Sequence, residues 1–146
     1  MTTPRELALE ALFTRISGAY AWGNAPSRRL KMWTDVPASQ RPAMFQFEGG
    51  RGSYAWSNTA YAKRTIEARL FIYVASSDAQ PGAPQLTAIQ DAIDTIMMPT
   101  GIDFATGRNT LGGTAYNARV KDVPVIDPGD LDGDGLLVIQ IEIILP

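Results

Sequence analysis

The sequence contains no cysteine and no histidine among its 146 residues. Without cysteine the chain has no disulfide framework and no thiolate nucleophile. Without histidine it lacks the commonest general base and the commonest protein ligand of metal ions. These absences exclude a Ser-His-Asp triad and a zinc site built from this chain alone.

Long hydrophobic runs are also missing. No apolar run approaches the roughly 18 residues that a membrane-spanning helix needs, and the polar N-terminus does not have the form of a signal peptide. The net charge of −2 provides no global basic field that would attract nucleic acid. A hydrophobic content of 45% is ordinary for a globular protein. We therefore expect a soluble intracellular protein that forms a single domain over residues 1–146.

The most regular pattern in the chain is YAKRTIEARLFIYV, residues 61–74, which predicts one long β-strand. Side chains alternate between the two faces of a strand, so the even positions from Ile66 to Val74 form a continuous apolar face. The opposite face is polar from Lys63 to Arg69 and becomes apolar at Phe71 and Tyr73. We expect the remaining strands to assemble around this one.

The other elements surround this strand in the order helix, three strands, helix, two strands. A capping motif, Thr3-Pro4-Arg5-Glu6, begins the first helix, and Gly18 ends it. The second helix is predicted over residues 85–98, and further strands over residues 28–33, 43–48, 116–123 and 136–145. Because this order does not alternate strictly, we predict an α+β fold. It consists of a mostly antiparallel twisted sheet of about five strands with two helices packed on one face.

A glycine-rich stretch, residues 49–60, precedes the long strand and carries Arg51, Tyr54 and Trp56. It predicts an extended loop or a flaring hairpin. Large aromatic side chains on such a loop are poor core candidates, because the loop cannot shield its own backbone. Two interpretations remain open: the loop folds against its own domain, or it is an arm that contacts a neighbouring subunit through Tyr54 and Trp56.

An aspartate-rich stretch, Asp130-Leu131-Asp132-Gly133-Asp134-Gly135, matches the first half of a calcium-binding loop. The match then fails, because the twelfth position is Ile141 and the flanking segments are predicted strands. A Gly-Asp turn that leads into the last strand is the favoured interpretation. We predict no metal ion and no cofactor. No nucleophile, base and orienting group occur in a catalytic pattern, so the chain is not expected to be an enzyme.

Basic residues are concentrated in the first half of the sequence. They are Arg28, Arg29, Lys31, Arg41 and Arg51, followed by Lys63 and Arg64. One interpretation is a solvated basic edge whose charges pair with acidic residues. The other is a surface that contacts DNA phosphates or an acidic partner. The aromatic residues among them lack the regular pattern of a base-stacking platform.

Several motifs, in order along nearly the whole chain, resemble a family of phage proteins. They are SRRLKMWTDVP (residues 27–37), RPAMFQFE (41–48), IEARLFIYV (66–74), RNTLGG (108–113) and VIQIEI (138–143). Each is weak alone, but their order and spacing are similar to those of the tail terminator, or tail completion, proteins of long-tailed bacteriophages. The aspartate-rich turn and the absence of histidine are not features of that family pattern.

The resemblance implies a structural role. Such proteins form a closed ring, typically hexameric, at the head-proximal end of the tail tube, where they end tube polymerisation and contact the head-to-tail connector or stopper protein. DNA passes through the ring lumen. The chain would thus belong to the neck of the virion tail, be assembled in the host cytoplasm and contact no membrane. Alternatives are another neck component, such as a head completion or connector adaptor protein, and a calcium- or ligand-binding module.

In this framework two groups of residues are candidates for contacts. Candidates for the subunit or tube interface are Arg51, Tyr54, Trp56, Lys63, Glu67 and Arg69. Candidates for the ring lumen or for an acidic partner surface are Arg28, Arg29 and Arg64. Exposed strand edges are expected to offer further pairing between subunits.

Overall fold

The computed structural model describes residues 3–56 and 62–146, without the side chains of residues 122 and 123. It contains two α-helices, α1 (Pro4–Ser17) and α2 (Gly82–Ile96). The strands are β1 (Ala43–Phe47), β2 (Ser53–Trp56), β3 (Ala62–Ala75), β4 (Asn117–Asp127) and β5 (Asp134–Ile144). Short 3₁₀ helices cover Trp33–Asp35, Ala38–Gln40 and Gly101–Ala105.

The predicted long strand is β3, and it is the centre of the sheet. β5 pairs with one edge of β3 along nearly its whole length, and β4 pairs with the far edge of β5. Two shorter strands share the other edge of β3, with β1 opposite residues 69–73 and β2 opposite residues 62–65. All of these pairings are antiparallel, so the predicted antiparallel α+β architecture is confirmed. The predicted strand residue Tyr61 lies outside the described residues.

Both helices pack on the same face of the sheet, as predicted. α1 begins at the predicted capping motif, where the backbone N–H of Glu6 donates to the Thr3 hydroxyl. The fully buried side chains come from the inward faces of the helices and from the even positions of β3 and odd positions of β5. They include Leu12, Ile16, Leu70, Ile72, Leu86, Ile89, Ile93, Leu137, Ile139, Ile141 and Ile143. Burial of these aliphatic residues supplies most of the driving force for folding.

The opposite face of the sheet, which we call the second face, is divided into an apolar half and a polar half. At the β1 end, Phe45 and Tyr73 are buried under Val36, with Leu30 packed against them. The Tyr73 hydroxyl also donates to the backbone carbonyl of Lys31 at 2.7 Å. Residues 27–41 therefore cover this half of the face from within the same chain. The polar half remains uncovered among the described residues.

The prediction of a strand over residues 28–33 was wrong. Only Ser27 forms an isolated parallel bridge, to Phe45, and the chain then crosses the second face of the sheet and enters the 3₁₀ helix Trp33–Asp35. The local alternation that suggested a strand is overridden by tertiary contacts. Arg28 turns toward two carboxylates and Leu30 toward the apolar half of the second face. Both side chains thus contact other elements of the fold, and the segment does not pair as a strand.

Candidate functional site

A hairpin made by β2 and the start of β3 projects at one end of the sheet. We call residues 49–56 and 62–65 the arm. All four residues of β2 are exposed, including Tyr54 at 62% and Trp56 at 74%. The hairpin interpretation of the glycine-rich stretch therefore holds for the described part of it, and residues 57–60 lie outside that part. The outer edge of β2 has no paired strand among the described residues.

The register of the arm fixes the direction of its aromatic residues. Tyr54 pairs with Arg64 and Trp56 with Ala62, so both rings lie on the face of the sheet that carries the helices. Arg5, in the first turn of α1, donates from Nη2 to the Tyr54 hydroxyl at 3.1 Å. This contact ties the arm to α1 and leaves Trp56 projecting beyond it. Aromatic side chains displayed on an ordered strand are typical of interface anchors.

A groove of about 900 Å³ opens beside the arm. It is lined mostly by apolar and aromatic groups, with two cationic side chains among them. The lining residues are Tyr54, Trp56, Ala62, Lys63, Arg64, Tyr116, Ile144, Leu145 and Pro146. We call this feature the arm groove. It brings together four of the predicted contact residues, two from strand β2 and two from strand β3.

The remaining predicted basic residues differ in their surroundings. Arg29 and Arg51 are exposed. The guanidinium of Arg28 contacts Glu6 and Glu48 of its own chain, with Nη2 at 3.0 Å from Glu6 and 2.7 Å from Glu48. The hydrogen bonds that Arg28 donates to Glu48 and then to Glu6 raise the pKa of Arg28, and the bond that Glu6 accepts from Arg28 lowers the pKa of Glu6. Arg28 therefore joins α1 to β1 within the subunit.

Glu67 and Arg69 lie on the polar half of the second sheet face. Glu67 stands directly opposite Glu142 in the register, a like-charge pair that would be unfavourable alone. Lys121 offsets it, because its Nζ lies 3.1 Å from Glu67 and 3.6 Å from Glu142. Arg119 adds a 2.8 Å contact to Glu142. The polar half is thus a network that satisfies its charges within one subunit and stays compatible with water.

The aspartate-rich stretch forms the turn between β4 and β5, as the favoured interpretation predicted. Asp134 pairs with Arg41, and the Asp132 carboxylate accepts from the Asp134 backbone N–H at 3.0 Å. These carboxylates therefore do not converge on a common point. Within residues 3–56 and 62–146, no group of three or more acidic or histidine side chains is arranged to hold a metal ion.

Sequence reasoning missed a second apolar protrusion, the 3₁₀ helix Gly101–Ala105. Ile102 is 94% exposed and Phe104 is 79% exposed. Between them, Asp103 accepts from the Thr110 backbone N–H at 2.8 Å and from its hydroxyl at 2.9 Å, which fixes the segment to the following turn. The available signal was a pair of large apolar residues in a loop bounded by glycines, a pattern unsuited to a core segment.

Asp103→Asn is expected to destabilise this segment in a pH-dependent manner. The hydrogen bond from the Thr110 backbone N–H, above all, lowers the pKa of Asp103. A carboxylate with a lowered folded-state pKa stabilises the fold above its unfolded pKa, about 3.9, and loses that contribution as the pH falls through the folded value. Urea unfolding should show a difference between variant and parent at pH 7 that shrinks below about pH 4. Asp94→Asn, on the exposed side of α2, is the control, and an equal difference at both pH values would contradict the assignment.

Comparison with known proteins adds no family assignment, because no family model and no curated protein matches the chain. Among the described residues, none of the helices is long and apolar enough to cross a membrane.

Proposed function

We propose that this chain is a structural component of the neck of a long-tailed bacteriophage, a tail terminator that forms a ring on the head-proximal end of the tail tube. The observation that carries the proposal is the arm, with two exposed aromatic side chains on an ordered strand, an open strand edge and an adjacent groove. This surface suits protein assembly. The ordered series of motifs, which resembles tail terminator proteins, supports a ring on the tail tube as the assembly that this chain forms.

A closed ring requires two different patches on each subunit, because its contacts run head to tail. The arm and the arm groove provide one patch. The residues of this patch that were predicted for the interface are Arg51, Tyr54, Trp56 and Lys63. The polar half of the sheet, which carries Glu67 and Arg69, provides a wet surface for the lumen side or for contact with the tube. Arg29 and Arg64 are the basic residues we assign to the lumen or to an acidic partner surface. Arg28 contributes to this surface only indirectly, because its guanidinium forms salt bridges with Glu6 and Glu48 of the same subunit.

Arrest of tube polymerisation tests the proposal. Purified tail tube protein is allowed to polymerise with increasing amounts of this chain, and tube length is followed by light scattering. A tail terminator stops growth at amounts far below one copy per tube subunit, because it acts only at tube ends. Growth unaffected by a molar excess of the chain would overturn the proposal. Binding to a connector ring without arrest would instead indicate a different neck component.

A further inference from the structure

We propose that the arm groove of one copy receives the acidic turn between β4 and β5 of a second copy. Leu131 enters the groove, and the carboxylates of Asp130 and Asp132 on either side of it meet Lys63 and Arg64. This inference rests on the ring assembly proposed above and identifies the second patch that the ring requires. We call residues 127–134 the tip.

The tip presents an apolar side chain between two negative charges. Leu131 is fully exposed, at 103% of its reference area, and Asp130 and Asp132 beside it are also exposed. Two large aliphatic residues in the adjoining part of β4, Val125 and Ile126, are 56% and 52% exposed. The tip therefore presents an exposed apolar side chain with an acidic border, and β4 exposes further apolar side chains beside it; this composition favours contact with an apolar surface bordered by cations.

The backbone of the tip is held in one conformation before any partner binds. The Gly133 N–H donates to the Gly129 carbonyl, and the Ser76 N–H donates to the Gly133 carbonyl, both at 2.9 Å. Gly129 and Gly133 adopt positive φ angles of 78° and 81°, which glycine tolerates without strain. The Arg41 pair with Asp134 anchors the end of the turn. Such preorganisation lowers the entropy cost of docking.

The arm groove has the complementary chemistry. Its lining is mostly apolar, and Lys63 and Arg64 supply two positive charges beside it. None of the salt bridges within the described residues involves Lys63, Arg64, Asp130 or Asp132. As far as the described residues show, the two cations and the two carboxylates therefore have no competing ion pair, while the apolar surfaces beside them remain open. Both patches occur in the same sequence, which favours a second copy as the partner.

The tip and the arm groove of one copy cannot meet. Ala75, at one end of β3, pairs with Asp134 at the tip, whereas Ala62, at the other end, lines the groove. A strand of 14 residues spans roughly 45 Å at 3.3 Å per residue. Contact between these patches must therefore join two copies, and it joins different surfaces. Repetition of such a heterologous contact closes into a ring if the rotation between copies allows it.

The absence of cysteine makes pairwise cross-linking a clean test. Copies carrying Leu131→Cys are mixed with size-tagged copies carrying Ala62→Cys, and the mixture is oxidised mildly. We expect a mixed disulfide dimer, resolved by its size. Leu131→Cys mixed with Phe104→Cys is the matched control, because Phe104 is exposed but does not line the groove. Failure to form the mixed dimer, or equal yield with the control, would overturn the inference.

Charge reversal then tests the recognition itself. Arg64→Glu in the Ala62→Cys copy should reduce the mixed dimer by about tenfold or more, because it places like charges together. Asp130→Arg in the Leu131→Cys copy should restore much of the loss. A yield that is insensitive to Arg64→Glu would contradict the proposed contact.

The two proposals fail in different ways. If the mixed dimer is absent but the parent chain still arrests tube growth, the tip-to-groove contact is wrong and the proposed function stands. If the mixed dimer forms but tube growth is unaffected, the chain self-associates as inferred and the proposed function is wrong.

Discussion

Arg41→Ala is expected to lower the free energy of unfolding by about 3–5 kcal/mol, the usual cost of breaking a buried ion pair. The Arg41 side chain is only 7% exposed and pairs with Asp134. Its guanidinium also donates to the carbonyls of Trp33 at 2.9 Å and Val36 at 3.1 Å. One side chain therefore joins the segment that covers the second sheet face to the start of β5. Its removal leaves a carboxylate and carbonyl groups without their donor.

Urea unfolding, followed by tryptophan fluorescence, measures this loss. Arg29→Ala is the matched control, because Arg29 is exposed, and it should change the unfolding free energy by less than about 0.5 kcal/mol. A loss below about 1 kcal/mol for Arg41→Ala would place the Arg41–Asp134 pair among weak surface ion pairs and contradict its role as a link between elements.

Trp56→Ala is expected to abolish assembly while leaving the fold intact. The side chain is 74% exposed, so its truncation should alter the unfolding free energy by less than about 0.5 kcal/mol. Buried in an interface, a tryptophan anchor contributes 2 kcal/mol or more, and its loss weakens binding by about 30-fold or more. We therefore expect a folded variant that no longer arrests tube growth at amounts at which the parent does.

Sedimentation velocity and the arrest assay, performed on the same preparations, separate this effect from misfolding. Phe104→Ala is the control, because Phe104 is similarly exposed but lies outside the arm groove, and it should assemble like the parent. Normal assembly of Trp56→Ala would remove the arm from the proposed interface. Equal loss in Trp56→Ala and Phe104→Ala would assign the contact to a broader surface than the groove.

Local patterns in the sequence were sufficient to predict the central strand and both helices. Strict alternation over residues 66–74 identified β3, because a strand covered on one face requires an apolar side chain at every second position. The capping residue Thr3 located the start of α1 for an equally local reason, since its hydroxyl accepts an N–H of the first turn. Both signals depend on neighbours a few residues away.

The rest depended on contacts between distant parts of the chain. The segment over residues 28–33 alternates like a strand. In the structure, however, Arg28 forms salt bridges with Glu6 and Glu48, and Leu30 packs on the apolar half of the second face. Likewise, nothing near Arg41 in sequence indicates its partner Asp134, 93 residues away. Periodicity cannot reveal such pairings, because they are set by the packing of separate elements.

The candidate surface was predicted in part. Tyr54 and Trp56 could be assigned to an arm because large aromatic residues in a glycine-rich stretch have no core to enter. The groove beside them could not be predicted, since Tyr116 and Leu145 reach it only through the register of β4 and β5. The exposed 3₁₀ segment was missed because short helices of that kind carry no long-range pattern.

Electron microscopy of the purified chain mixed with preformed tail tubes is the most direct test of the central claim. We expect a ring-shaped cap at one end of each tube, with the same diameter as the tube, and no density along its sides. Bare tube ends at saturating amounts of the chain would contradict it, as would decoration along the whole tube.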